Sequence, residues 1–149
     1  MYNTNENIAG WEGSAMRSFV NGELYEALPD DLRSVLKPVL KVSDGGKSKR
    51  ELVTTEDRCW LASYYEVGFA ENTAVLVGQG TAYSSTFSTK NATRVKYLSD
   101  GYTPYGWWLR SSSYSLTGDS ALFCRVQSGG SLYGDVITGK YPIAFGFCI

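Results

Sequence analysis

The side chains that a chain owns bound its chemistry, and this one has no histidine. That excludes a Ser-His-Asp or Cys-His nucleophile and any histidine-ligated zinc within the chain. The three cysteines, Cys59, Cys124 and Cys148, lie far apart and form no C-x-x-C pair. An odd count at that spacing speaks against a disulfide framework. The expectation is three buried thiols serving as small apolar side chains, with one pair plus a free thiol as the alternative. Asp119 and Asp135 fall in plausible loops, but a Ca2+ site needs several clustered oxygen ligands, and two acids do not supply them. No metal and no cofactor is expected.

The run Trp107-Trp108-Leu109-Arg110 has two readings. It could stack a carbohydrate or a peptide. Alternatively it is a core strand, with Arg110 paired to a buried carboxylate or to backbone carbonyls. Adjacent strand residues face opposite sides, so only one of the two tryptophans could line a site. The core reading is the expectation. Aromatic residues reach 14% and tyrosine alone supplies 11. Tyrosine offers large contact area at low rotamer entropy, so Tyr-rich surfaces recur where proteins grip others. Tyrosine is also a common strand residue.

The elements that must position these groups read differently in the two parts of the chain. With 149 residues the chain is one domain in length. Its net charge of -1 creates no field that would draw it to nucleic acid or an anionic membrane. There is no run of 18 apolar residues to span a bilayer and no basic start followed by an apolar run to act as a signal peptide. After residue 100 only Arg110, Asp119, Arg125, Asp135 and Lys140 are charged, and this stretch is rich in Gly, Ser, Tyr and Trp. The front is charged and helix-capable.

In the front, Ser14 can cap a helix over Ala15 to Val20, stopped by Asn21-Gly22 and buried through Met16, Phe19 and Val20. A further turn or two runs from Glu23 to Ala27. Pro29 starts a helix whose positive end favours Asp30 and Asp31, with Leu32, Val35 and Leu36 on its buried side. A strand follows over Val39–Val42, then a short basic loop over residues 44–50. Thr54 to Asp57 reads as a turn or helix cap, Cys59 to Leu61 as a short strand and Tyr64 to Val67 as one helical turn. Residues 68–93 show little periodicity and read as a long loop with weak strands, a length that is usually functional or mobile. Residues 94–98 form a short regular segment before an Asp100-Gly101 turn. Behind it come strands over Trp107–Arg110 and Ala121–Val126, a hairpin turn at Ser128-Gly129-Gly130 and a return over Ser131–Tyr133. The final strand is Ile143 to Ile149.

Three runs carry a resemblance: Gly10-Trp11-Glu12-Gly13-Ser14-Ala15-Met16-Arg17-Ser18-Phe19, Leu52-Val53-Thr54-Thr55-Glu56-Asp57 and Trp107-Trp108-Leu109-Arg110-Ser111. They resemble DUF6273, a bacterial and phage domain family of uncharacterised function. These pieces cover nearly the whole chain, and the W-W-L-R-S block is the most specific of them. The resemblance implies an α+β, C-type lectin-like fold of the formylglycine-generating-enzyme type. Helices of the N-terminal half would pack on a small antiparallel sheet formed mainly by the C-terminal half, with long loops, as a single domain over residues 1–149. Many members carry G-V-R-P-A near the end, where this chain has Pro142-Ile143-Ala144-Phe145-Gly146-Phe147. The role of that arginine does not carry over.

Domains of this type are the usual targets of diversity-generating retroelements, which rewrite codons near the C-terminus of a ligand-binding protein. The stretch 112–141, within a variable-type region of about 107–149, looks like such a target. Set among Phe123, Val126, Gly130 and Gly134 as frame, its mixed positions are Ser112, Tyr114, Leu116, Ser120, Leu122, Arg125, Gln127, Leu132, Tyr133, Asp135, Ile137, Lys140 and Tyr141. Strand alternation would turn about half of them into the core. The expected function is non-catalytic binding of a protein or glycan receptor on a target cell, displayed on a phage tail fibre or bacterial surface protein. Oligomers would form through a larger fibre. Met1 stands close before the first motif, which points to an excised domain or a module of something larger. Competing readings are a fixed glycan-binding or structural module and, less favoured, an enzyme of the formylglycine-generating type. Such an enzyme relies on redox-active cysteines or a metal.

Overall fold

The computed structural model describes residues 8–47, 49–70, 74–113, 122–136 and 139–149, and for residues 134–136 the backbone alone. Three short helices come first: α1 (Ala15–Asn21), α2 (Glu23–Glu26) and α3 (Asp30–Val35). Ser14 caps α1 as expected. Its backbone is extended and its Oγ accepts from Arg17 N at 3.0 Å, satisfying one of the amides a helix start leaves unpaired. Met16 and Val20 are buried, but Phe19 stays 39% exposed, against expectation. It sits at the rim of the apolar stripe, beside an open groove shared with Leu24 and residues 141–143. Val35 is 50% exposed where α3 ends, and Leu36 takes the inward place instead.

Strands β1 (Val39–Asp44) and β2 (Leu52–Asp57) form an antiparallel pair, with Val39 opposite Asp57 and Asp44 opposite Leu52. The expected turn at Thr54 to Asp57 is therefore strand. Its inward positions are Thr55 and Asp57, both polar, so no apolar alternation betrays it. Strand β3 (Trp60–Leu61) lies nearby. Between it and residue 90 the described residues form turns without strands, followed by a 3-10 helix at Asn91–Arg94. Strands β4 (Lys96–Tyr97) and β5 (Pro104–Tyr105) make a small hairpin across the Asp100-Gly101 turn.

The largest sheet comes from the C-terminal part: β6 (Trp107–Ser113), β7 (Leu122–Val126) and β8 (Leu132–Val136), antiparallel in the order β6-β7-β8. Its register breaks between Trp108 and Ser112. The expected last strand shrinks to β9 (Phe145–Gly146), which pairs with β3. Single bridges at Trp108–Ile143 and Lys37–Cys148 anchor the rest of that segment. The architecture is α+β, with helices in the N-terminal part and several small antiparallel sheets. Among the described residues none closes into a barrel.

Strand β6 divides two cores. Trp108 and Phe123 join Trp11, Met16, Val20, Leu36, Trp60 and Leu61 on one side. Trp107, Leu109, Cys124 and Val126 join Tyr64, Val67, Val75 and Phe87 on the other. The two tryptophans thus face opposite ways, as strand geometry requires. All three cysteines are free thiols. Cys59 and Cys124 are buried and burial pushes both thiols up, whereas Cys148 is exposed, contrary to expectation.

Candidate ligand-binding surface

Two buried polar knots hold the scaffold before any surface is reached. In the first, the Asp57 carboxylate accepts from Trp11 Nε1 at 3.0 Å, Arg17 Nε at 2.7 Å and Thr55 Oγ1 at 2.6 Å. Asn21 joins it and accepts from the amides of Arg58 and Cys59, which ties α1 to the chain leaving β2. In the second, Arg110 is fully buried and forks onto the Glu66 carboxylate, with Nη2 to Oε1 at 3.0 Å. Its remaining donors reach Leu61 O at 2.8 Å, Val42 O at 3.1 Å, Gln79 O at 3.3 Å and Ser43 Oγ at 3.2 Å. Lys41 adds a second cation to Glu66 Oε1 at 2.7 Å and donates to Tyr83 Oη.

Burial alone would raise the Glu66 carboxyl. The hydrogen bonds and charge of Arg110, then those of Lys41, outweigh it and hold the carboxyl below its usual range. This knot gives the long segment after β3 its shape. Ser63 Oγ donates to Gln79 O, Tyr83 N donates to Glu66 O, and Ser111 Oγ bridges from Tyr64 N to Gln79 Oε1. Arg110 therefore has the buried-carboxylate role expected of it, and Glu66 is the partner that sequence could not supply.

A different arginine organises the surface. Arg125 on β7 stands opposite Trp108 on β6 and Tyr133 on β8. Its guanidinium lies 4.2 Å from the Tyr141 ring centre and 5.0 Å from that of Tyr133. These are cation–π distances, which orient a planar cation without burying it. Tyr141 in turn meets Trp108 edge to face at 5.3 Å. Two glycines make room. A Cβ on Gly106 would stand 2.9 Å from Arg125 Nη1, and one on Gly139 would stand 2.6 Å from the Tyr141 ring.

Beside this stack opens a cleft of about 450 Å³, lined by Pro104, Tyr105 and Gly106 on one flank and by Arg125, Gln127, Ser128, Gly129, Ser131 and Tyr141 elsewhere. The β7–β8 turn forms its far wall. Gly130 there has φ +83°, and a Cβ would run into Asn91 O. The buried Arg94 clamps the turn, with Nε on Gly130 O at 3.1 Å and Nη1 on Ser88 O at 2.6 Å. Trp107 Nε1 donates to Arg94 O. The wall is thus bolted to the second core.

The structure brings Arg125, Gln127, Tyr133 and Tyr141 together among the residues expected to bind. Lys140 is exposed nearby and Leu122 is half-buried. Leu132 packs against the second core. Ser112 is a correction: it is wholly buried, because β6 is covered on both faces and shows no outer side there. Tyr114, Leu116, Ser120 and Ile137, the side chain of Asp135 and the loop acid Asp119 lie outside the described residues. Tyr105, Ser128 and Ser131 line the cleft without having been expected. The β6–β7 register, with Trp107 opposite Val126, brings the chain at Tyr105 and Gly106 beside Gln127, and no local pattern encodes that. Among the described residues no group of three or more Cys, Asp or Glu is placed to hold a metal ion, and no helix is long and apolar enough to cross a membrane.

Residues 1–149 match the family described as Domain of unknown function (DUF6273). The chain belongs to the DUF6273 family. No curated protein and no solved structure matches it. Within this DUF6273 chain, the three runs that carry the resemblance supply the two buried knots. Trp11, Arg17 and Thr55 converge on Asp57 in one, while Arg110 and Ser111 enter the other.

Proposed function

We propose that this DUF6273 domain is a non-catalytic ligand-binding module with a C-type lectin-like scaffold. Its exposed C-terminal face, within residues 112–141, takes a receptor on a target cell and is varied by a diversity-generating retroelement. It would be displayed on a phage tail fibre or a bacterial surface protein. The observation that carries the reading is the Arg125–Tyr133–Tyr141 stack at the mouth of an open cleft on a rigid sheet. Tyrosine and arginine on a fixed frame are the groups that recognition surfaces concentrate. The buried knots and the clamped turn support it too, because a frame must keep its shape while surface residues change.

The deciding experiment is deep sequencing of this gene across a natural population. Dense replacement at codons 122, 125, 127, 133 and 141 is expected, with codons 107–112, 123, 126 and 130 untouched. An even, sparse spread of substitutions removes the retroelement and leaves a fixed binding or structural module. Tyr133 is the clean position for substitution at this face, since it is 49% exposed. Tyr141 is not, because its ring also packs on Trp108.

A further inference from the structure

We infer that the cleft takes a single sugar ring at the end of a glycan, and that Tyr105 is one of its stacking platforms. The recognition face then extends beyond residues 112–141 onto the β4–β5 hairpin. This inference rests on the reading that the C-terminal face binds a ligand.

The chemistry of the lining separates a sugar from a protein. Among the described residues that line the cleft, Pro104 is the one aliphatic side chain. The anchors of a protein interface are also Tyr and Arg, but they seat in well-packed, desolvated pockets, whereas this cleft is open and polar at its rim. Here the walls are tyrosine rings, a primary amide, two hydroxyls and a guanidinium. A pyranose matches that set: one face of C–H groups lies against a ring, and its hydroxyls both donate and accept around the rim. Gln127 can do both through one amide, and its Oε1 already accepts from Ser131 Oγ at 2.7 Å, which fixes the direction of the NH2. The volume lies within the roughly 300–1,000 Å³ of small-molecule sites. The walls are set before binding, by the Arg94 clamp on one side and the β4–β5 pairing on the other.

Tyr97 and Tyr102 are 56% and 77% exposed, and Tyr105 stands at the cleft itself. The register sets Tyr97 opposite Pro104 and Lys96 opposite Tyr105, so Tyr97 and Tyr105 face opposite sides of the hairpin, and Tyr105 is the ring that meets the cleft.

The test is an NMR titration of the uniformly 15N-labelled chain with methyl glycosides of glucose, galactose, mannose and N-acetylglucosamine. A displayed random-peptide library is panned in parallel. The expected result is saturable shifts for at least one glycoside at the amides of Tyr105, Gly106, Gln127 and Gly129, with Kd near ~1 mM, the scale of a single small contact. Tyr105→Ala and Gln127→Ala should each weaken it at least tenfold while the rest of the spectrum holds. No saturable shift with any glycoside, or shifts confined elsewhere, overturns the inference. Peptides whose capture depends on Tyr133 would, in that event, leave the binding reading standing and replace the sugar with a protein.

Discussion

Arg110 and Arg125 are the two arginines of the β6–β7 pair, and they live in opposite worlds. Arg110 is sealed inside, forked onto Glu66 and saturated by carbonyls from three separate segments. Arg125 is half-buried and lies across two tyrosine rings at the edge of an open cleft. The same guanidinium serves as a structural rivet in one place and as a contact surface in the other. The contrast shows why a residue type carries little functional information by itself. What decides is where the fold sets it, sealed between buried segments or beside an open cleft.

Removing the rivet should have the largest effect. Arg110→Ala leaves Glu66 and several carbonyls buried without their main donor, a change that costs about 3–5 kcal/mol. Urea unfolding should show a shifted midpoint or no cooperative transition at all, and a loss below about 1 kcal/mol would break the contrast. The acid limb of the stability profile sharpens it. The Glu66 carboxyl sits below its usual value of 4.5, so the folded state binds that proton less readily than the unfolded chain. The stability it lends is in place above that value and fades as pH falls through the folded pKa. Glu66→Gln should therefore be destabilising near neutrality, with the gap to wild type closing below pH 4.5. A gap that stays constant down to pH 2 would mean that the carboxylate's charge is not what Arg110 and Lys41 hold.

Gly130→Ala tests the bolt between the frame and the cleft. A side chain at φ +83° that also meets Asn91 O should cost about 1–3 kcal/mol and disorder the β7–β8 turn. Thermal melts together with amide exchange at residues 127–131 would read both effects. At Arg125 the expected loss on substitution by Ala falls to about 1 kcal/mol, the scale of a partly exposed cation–π contact. Tyr133→Ala should cost about 0.5 kcal/mol or less. Should Arg125→Ala prove as costly as Arg110→Ala, the surface reading of β7 fails.

The sequence made some of this legible and hid the rest for physical reasons. The α1 cap, the α3 start and the β7–β8 turn are local, written in Ser14, Pro29 and Ser128-Gly129-Gly130, and they stand where expected. The opposed tryptophans followed from strand alternation alone. Strand β2 was hidden because its inward residues are polar and serve the Asp57 knot. Glu66 was hidden because its partner stands 44 residues away. Arg125, Gln127, Tyr133 and Tyr141 were named through the family resemblance, and the register and ring contacts draw them to one face. Ser112 was named in the same way but lies in a strand covered on both faces.

The pairing of β3 with β9 sets an order of events during folding. Trp60 and Leu61 find their partners in Phe145 and Gly146, roughly 85 residues further on. The same closing segment supplies Phe145 to one core and Ala144 to the other. Neither core can therefore seal while that segment is still within the ribosome. Contacts so distant along the chain fold slowly, because loop closure comes before any reward from burial. Until then the tryptophan-rich strand β6 stays incompletely covered, which makes the interval before closure the period when the chain most needs shielding from other chains.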